Sequence, residues 1–300
     1  MLKEKLSRLQ GKTLTQFMCS LENSGLVNAG IGSCLNLNGE RELDSALLRV
    51  QSDGQQSLAC VTGAKECCNP LIINEEMIRE QLNPQTDKMS PPVFLAGESA
   101  TRIGQRLPKS GKIDYGKSKD VKWYEKLKAF KDLEQVRDTI GSISIDFKLE
   151  AFQIEVCTSS GGPWLKIPGR VGSAAIRGAG FEFRERGNET CMVLCTGHGE
   201  NLIKDQVANR VACQLIQTGI LDAKEFLQEI RYDKPYDLGI VAVQCNTQTQ
   251  KVTVHIFQTC ELLTVGWALE QGDMIKKRQL KSFVKPMEKR YSSSSFTLQF

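Results

Sequence analysis

Two alternating segments joined by a short turn, and followed at once by two glycine-rich turns, constrain this chain more than any other feature. Residues 140–146 (IGSISID) and 152–157 (FQIEVC) each read as a strand. Period-two alternation marks a strand with one buried face, and two such runs across a short turn make a hairpin. Asp138-Thr139 stands just before the hairpin. Ser159-Ser160-Gly161-Gly162 and Pro168-Gly169-Arg170-Val171-Gly172 stand just after it. A threonine opening a strand in mid-chain is where an amino-terminal nucleophile sits before a chain cuts itself. The dipeptide alone says little, and its neighbours give it weight.

Around this hairpin the pattern is mixed. Leu6, Leu9, Leu14, Phe17, Met18 and Leu21 have helical spacing and predict a helix over 3–21. Short strands are expected at 42–48 and 58–63, a helix at 74–81, and another over 93–106 after Pro91-Pro92. Residues 108–137 carry a run of lysines with few long apolar residues, an exposed segment that reads as a solvated linker or a basic docking element. After Thr139, a strand at 192–195 leads into a helix over 201–217, with Ile203, Val207, Val211 and Leu215 in register and Gly219 as its stop. A second helix is expected at 222–230, then strands at 238–244 and 251–259 across a hairpin. Ser292 to Ser295 read as a loose tail. Helices, then strands, then helices flanking more strands predict an α+β layered sandwich.

The formal net charge of +4 gives little reason to expect nucleic-acid or membrane binding over the whole surface. No apolar run approaches the roughly 20 residues of a membrane helix, and the charged start, Met1-Leu2-Lys3-Glu4, does not resemble an export signal. Eleven cysteines without a CxxC pair are expected to be reduced thiols, so the chain is expected in the cytoplasm, the nucleus or both.

Histidine-based nucleophilic catalysis finds little material, because the chain has only two histidines. His198 lies in a glycine-rich turn and His255 inside a strand, neither placed like a triad base. No His, Cys and Asp cluster has metal-ligand spacing. An amino-terminal threonine needs neither, since its own α-amine, with a reference pKa of about 7.7 to 8.0, takes the hydroxyl proton. The amine must first be freed by cutting between Asp138 and Thr139. Ser160 is placed to hydrogen-bond the Thr139 amine or hydroxyl. Arg170, among small residues, suits bidentate pairing with a carboxylate. Thr196 and Gly197 join a strand to a helix start, where backbone N–H groups favour an oxyanion.

Together these residues resemble the asparaginase-type amino-terminal nucleophile (Ntn) hydrolases, and within them the threonine-aspartase (taspase) branch. The carrying segments are NAGIGSCLNLNGERELD (28–44), PPVFLAGESA (91–100), DTIGSISID (138–146), SSGG (159–162), PGRVGSAA (168–175) and TGHGEN (196–201), in family order over nearly the whole chain. The resemblance implies a four-layer αββα sandwich, here lacking the usual first strand. It implies one domain cut into an amino-terminal part, 1–138, and a carboxy-terminal part, 139–300. Thr139 is then nucleophile and base, Ser160 its support, and Thr196 and Gly197 the oxyanion hole. Arg170 is the clamp for the substrate carboxylate, with Gly199 also binding substrate. No cofactor is implied beyond a structural sodium ion at the loop 28–33, and the expected assembly is a homodimer of cleaved pairs. Small-molecule members usually have Gly before the threonine and Asp after the GRVG run, where this chain has Asp138 and Ser173. The expected activity is therefore an endopeptidase cutting protein substrates after aspartate. The alternatives are an asparaginase or glycosylasparaginase-type amidase on small asparagine derivatives, and a catalytically impaired relative that acts as a binding module.

Overall fold

The computed structural model describes residues 12–67, 69–83, 90–107, 139–147, 151–222, 225–227, 237–271, 274–284 and 291–299. Contacts divide the chain into two compact units, one of Met18–Ser144 and Gln153–Ala175, the other of Met1–Phe17, Ile145–Phe152 and Ile176–Phe300. Asp138 and the lysine-rich run 108–137 lie outside the described residues.

The first unit is built on a five-stranded sheet. Strands β1 (Leu43–Gln51) and β2 (Gln56–Ala64) form an antiparallel hairpin. β3 (Phe94–Ala96) runs parallel to β2. On the other side of β1 lie β5 (Phe152–Ser160) and then β4 (Ile140–Phe147), giving the order β3-β2-β1-β5-β4. β1 and β5 pair antiparallel with Asp44 opposite Ser160. The start of β1, the end of β5 and the start of β4 therefore share one rim of the sheet. Helix α1 (Leu14–Glu22) ends in this unit, and α2 (Pro70–Leu82) and α3 (Gly97–Arg106) belong to it. Pro70 opens α2, where a missing N–H costs nothing, so the helix starts four residues ahead of the expected 74. Leu71, Ile73, Met77 and Ile78 are buried with Leu47 and Val61. Asn74 is buried among them and satisfied, accepting from Ser45 Oγ at 2.5 Å and donating to the Ala59 carbonyl at 2.9 Å.

Residues 93–106 are not one helix. The Cys60 N–H bonds the Val93 carbonyl at 2.8 Å and β3 pairs with β2, so the backbone is drawn into the sheet before α3 begins.

The second unit carries a sheet of β6 (Phe181–Arg186), β7 (Glu189–Gly197), β8 (Leu238–Asn246), β9 (Lys251–Gln258) and β12 (Ser292–Gln299), in the order β12-β9-β8-β7-β6. β10 (Leu262–Gln271) and β11 (Met274–Val284) form a separate two-stranded ribbon. The expected helix at 201–217 is two helices, α4 (Gly199–Asp205) and α5 (Val207–Thr218). Gln206 takes a left-handed φ of 50° between them and breaks the ladder without disturbing the apolar spacing. Val207, Val211 and Leu215 of α5 are buried with Val193, Ile240 and Phe257 of the sheet. The serine run is not a loose tail, because it begins β12, which pairs with β9 along its full length from Ser292–Gln258 to Gln299–Lys251. Backbone bonds to an open sheet edge supply that order, and they leave no hydrophobic period in the sequence. Of the expected helix at 222–230, residues 225–227 are helical and 228–230 lie outside the described residues. Among the described residues, no helix is long and apolar enough to cross a membrane, and no disulfide forms.

Glu22, at the end of α1, is fully buried and accepts hydrogen bonds from Ser159 Oγ at 2.6 Å and Asn69 Nδ2 at 2.9 Å. Burial outweighs these bonds and pushes its pKa up from 4.5 to about 7. Between those values the folded chain holds a proton that the unfolded chain releases, so this group's contribution to stability falls as pH rises from 4.5 to 7. The loss is on the order of 3 kcal/mol. Glu22→Gln is expected to raise the melting temperature at pH 8 and to lose that advantage towards pH 4.5, which thermal melts across pH will show.

Candidate active site

Thr139 immediately precedes β4, and Ser160 is the last residue of β5. Their hydroxyl oxygens lie 2.9 Å apart, so the hairpin delivers the expected nucleophile to its expected support. Ser160 Oγ also accepts the Gly162 N–H at 3.1 Å. Its hydroxyl is thus fixed by the turn that follows it.

Asn28 holds the same turn from the other side. Its carbonyl accepts the Gly161 N–H at 2.9 Å, its Nδ2 donates to the Gly162 carbonyl at 2.8 Å, and its Oδ1 accepts the Cys34 N–H at 2.9 Å. The loop 28–33 offers oxygen donors of the kind a sodium ion takes. Ser33 Oγ is buried without a partner among the described residues. The carbonyls of Ala29 and Gly30 each accept one backbone N–H and keep a second lone pair.

Arg170 is carried on a loop gripped by two buried carboxylates. Glu42, just before β1, accepts the Gly169 N–H at 3.1 and 3.0 Å on its two oxygens. Asp44, in β1, accepts the Gly172 N–H at 2.9 Å, the Gly63 N–H at 3.0 Å and the Thr62 hydroxyl at 2.6 Å. Backbone N–H groups on both sides of Arg170 are therefore tied to the strand that pairs with Ser160. A Cβ at Gly172 would fall 2.5 Å from Asp44 Oδ2, so only glycine permits this approach. A Cβ at Gly162, whose φ is +70°, would stand 3.0 Å from Arg170 Nη1 and 3.5 Å from Lys166 Nζ. The guanidinium and a buried ammonium thus converge over the residue that donates to Ser160. Sequence reasoning missed Glu42, Asp44 and Lys166. The one trace of the first two was a pair of acidic residues entering an otherwise apolar strand.

Thr196 and Gly197 end β7 in the second unit, opposite Gly239 and Leu238 of β8. Gly199 is the first residue of α4. The His198 N–H donates to the Asp237 carbonyl at 3.2 Å, while its exposed ring lies 3.7 Å from Glu200. The structure therefore brings Thr139, Ser160 and Arg170 together within the first unit, and places Thr196, Gly197 and Gly199 together within the second. His255 bonds Gln244 Oε1 at 2.7 Å and burial lowers its pKa, the setting of a packed strand histidine. Among the described residues no cluster of His, Cys, Asp and Glu is arranged to hold a metal ion.

The family model described as asparaginase matches residues 8–261. The chain belongs to the asparaginase family. Within this family of the Ntn-hydrolase superfamily, it is 30% identical over 212 residues to the plant-type L-asparaginase of Pyrobaculum calidifontis, covering 68% of this chain and 65% of that protein. It is 29% identical over 233 residues to a probable isoaspartyl peptidase/L-asparaginase of Drosophila pseudoobscura pseudoobscura, covering 71% and 66%. It is 29% identical over 254 residues to the plant-type L-asparaginase of Pyrococcus furiosus, covering 75% and 74%. The matched part of this chain spans slightly under two thirds of the first two relatives. The family match ends before the β10–β11 ribbon.

Gly172→Ala is expected to destabilise the chain by about 1–3 kcal/mol, because Asp44 and the loop must separate to admit a methyl group. A lowered denaturant midpoint at unchanged slope will show it.

Proposed function

We propose that this chain is a self-activated amidohydrolase with Thr139 as nucleophile. The single observation that carries the reading is the 2.9 Å contact between Thr139 Oγ1 and Ser160 Oγ at the rim where the Arg170 loop is held. In the first step the Thr139 hydroxyl attacks the Asp138 carbonyl, the peptide bond becomes an ester, and water releases it. The freed α-amine then serves as base. In turnover the same hydroxyl attacks the carbonyl of a substrate amide, ammonia or an amine departs, and water cleaves the acyl-enzyme ester. Arg170 holds a substrate carboxylate, with Gly199 also contacting substrate, and Thr196 and Gly197 stabilise the tetrahedral oxyanion. The reading carries with it a four-layer αββα sandwich, a dimer of cleaved pairs, and a sodium ion in the loop 28–33 stiffening the Asn28 contacts to Gly161 and Gly162.

The relatives carry the names L-asparaginase and isoaspartyl peptidase. They favour a substrate whose side-chain β-carbonyl is cut: the amide of asparagine or the β-linked bond of an isoaspartyl dipeptide. The endopeptidase expected from sequence becomes the second reading, and Ser173 is the observation that supports it. Ser173 opens the 3-10 turn Ser173–Ala175 directly after the clamp loop, and it offers no charge to a substrate ammonium. The two readings share their chemistry. In asparagine and in a chain-internal aspartyl residue, the scissile carbonyl and the held carboxylate are the ends of one succinyl skeleton.

The test is a substrate panel: ammonia from L-asparagine, dipeptide hydrolysis from an isoaspartyl substrate, and cleavage of an amino-blocked peptide after aspartate. Turnover of the first two is expected, with Thr139→Ala lowering it by about 10³-fold or more. Cleavage of the blocked peptide alone would install the second reading. Equal activity of wild type and Thr139→Ala would remove the nucleophile from both.

A further inference from the structure

Lys166 is 4% exposed, yet among the described residues its ammonium donates one hydrogen bond, to the Glu42 carbonyl at 2.7 Å. An ammonium has three donors, and burying it with donors to spare is costly. Burial pushes its pKa down, the nearby Asp44 and Glu42 oppose that shift, and Arg170 adds to it. Those two carboxylates do not cancel the cation fully. Both spend oxygens on backbone N–H groups, and Glu42 is also 3.6 Å from Lys65. A Cβ on Gly162 would lie 3.0 Å from Arg170 Nη1, 3.2 Å from Lys166 Cδ and 3.5 Å from Lys166 Nζ, so the two cationic side chains close over this glycine. Two cations facing a side-chain-free glycine make a receptor for a small anion.

We propose that Lys166 and Arg170 together bind one carboxylate over Gly162, two residues from Ser160, and that Lys166 is a second substrate-binding cation. The identity of the anion rests on the amidohydrolase reading: it is the carboxylate at the far end of the succinyl skeleton from the attacked carbonyl. A site with two cations discriminates against a neutral group at that end more strongly than one guanidinium alone.

The probe is succinate, which carries the skeleton but no amide and is not hydrolysed, titrated calorimetrically into the protein. Lys166→Met is expected to weaken succinate binding about tenfold or more, while Lys166→Arg keeps it within about threefold. The melting temperature of Lys166→Met is expected not to fall, since a half-paired buried ammonium gives way to an apolar chain. A purely structural lysine would show the reverse, lost stability with unchanged affinity. Succinate affinity unchanged in Lys166→Met, or no succinate binding to the parent, overturns the proposal. Should Lys166→Met not fold, Lys166→Gln replaces it with the same two outcomes, because it keeps an N–H for the Glu42 carbonyl and removes the charge. The probe is independent of turnover. A protein that hydrolyses nothing yet loses succinate through Lys166→Met keeps the anion site and discards the amidohydrolase reading.

Discussion

The grip of two buried carboxylates on a glycine loop organises the site. Glu42 and Asp44 enter the sheet together at the start of β1, where Asp44 stands opposite Ser160. Each carboxylate accepts a backbone N–H from the loop that carries Arg170, across 127 and 128 residues of chain. Charge-assisted bonds of this kind are among the stronger ones available to a protein, and burial removes the competing water. Strand pairing therefore sets the position of the guanidinium relative to Ser160 and Thr139. If β1 shifts its register by one residue, Asp44 turns to the other face and the loop loses an anchor.

That arrangement explains the glycines around the site in physical terms. Gly172 is present because a carboxylate oxygen occupies the space a methyl group would need. Gly162 is present because it turns with positive φ while two cations crowd above it. Serine and asparagine complete the frame, since the Ser160 hydroxyl and the Asn28 side chain take up backbone groups that the turn leaves unpaired. The result is a rim where the Thr139 hydroxyl, its Ser160 partner and a pair of cations are held close together. In the proposed reaction such contacts would need little reorganisation as charge develops.

The parts of the fold written in side-chain period were legible in the sequence. The hairpin strands β4 and β5, the β8–β9 pair and the stop of α5 at Gly219 all follow from spacing and glycine placement. Elements ordered by backbone pairing alone were not, and β12 is the clearest case: four serines carry no hydrophobic signal, yet β9 supplies a full ladder of partners. The break at Gln206 was hidden because the apolar spacing continues through it. Within the site, Thr139, Ser160 and Arg170 were legible from the turns around them. Glu42, Asp44 and Lys166 act across more than a hundred residues of chain, and contacts of that length leave no local pattern.

The central claim is that the chain cuts itself before Thr139 by the action of that residue's own hydroxyl. The direct measurement is the intact mass of the purified chain beside that of Thr139→Ala. The account predicts two pieces in the wild type, one ending at Asp138 and one beginning at Thr139, and a single uncut mass in the variant. An uncut wild type, or the same two pieces from the variant, would contradict it.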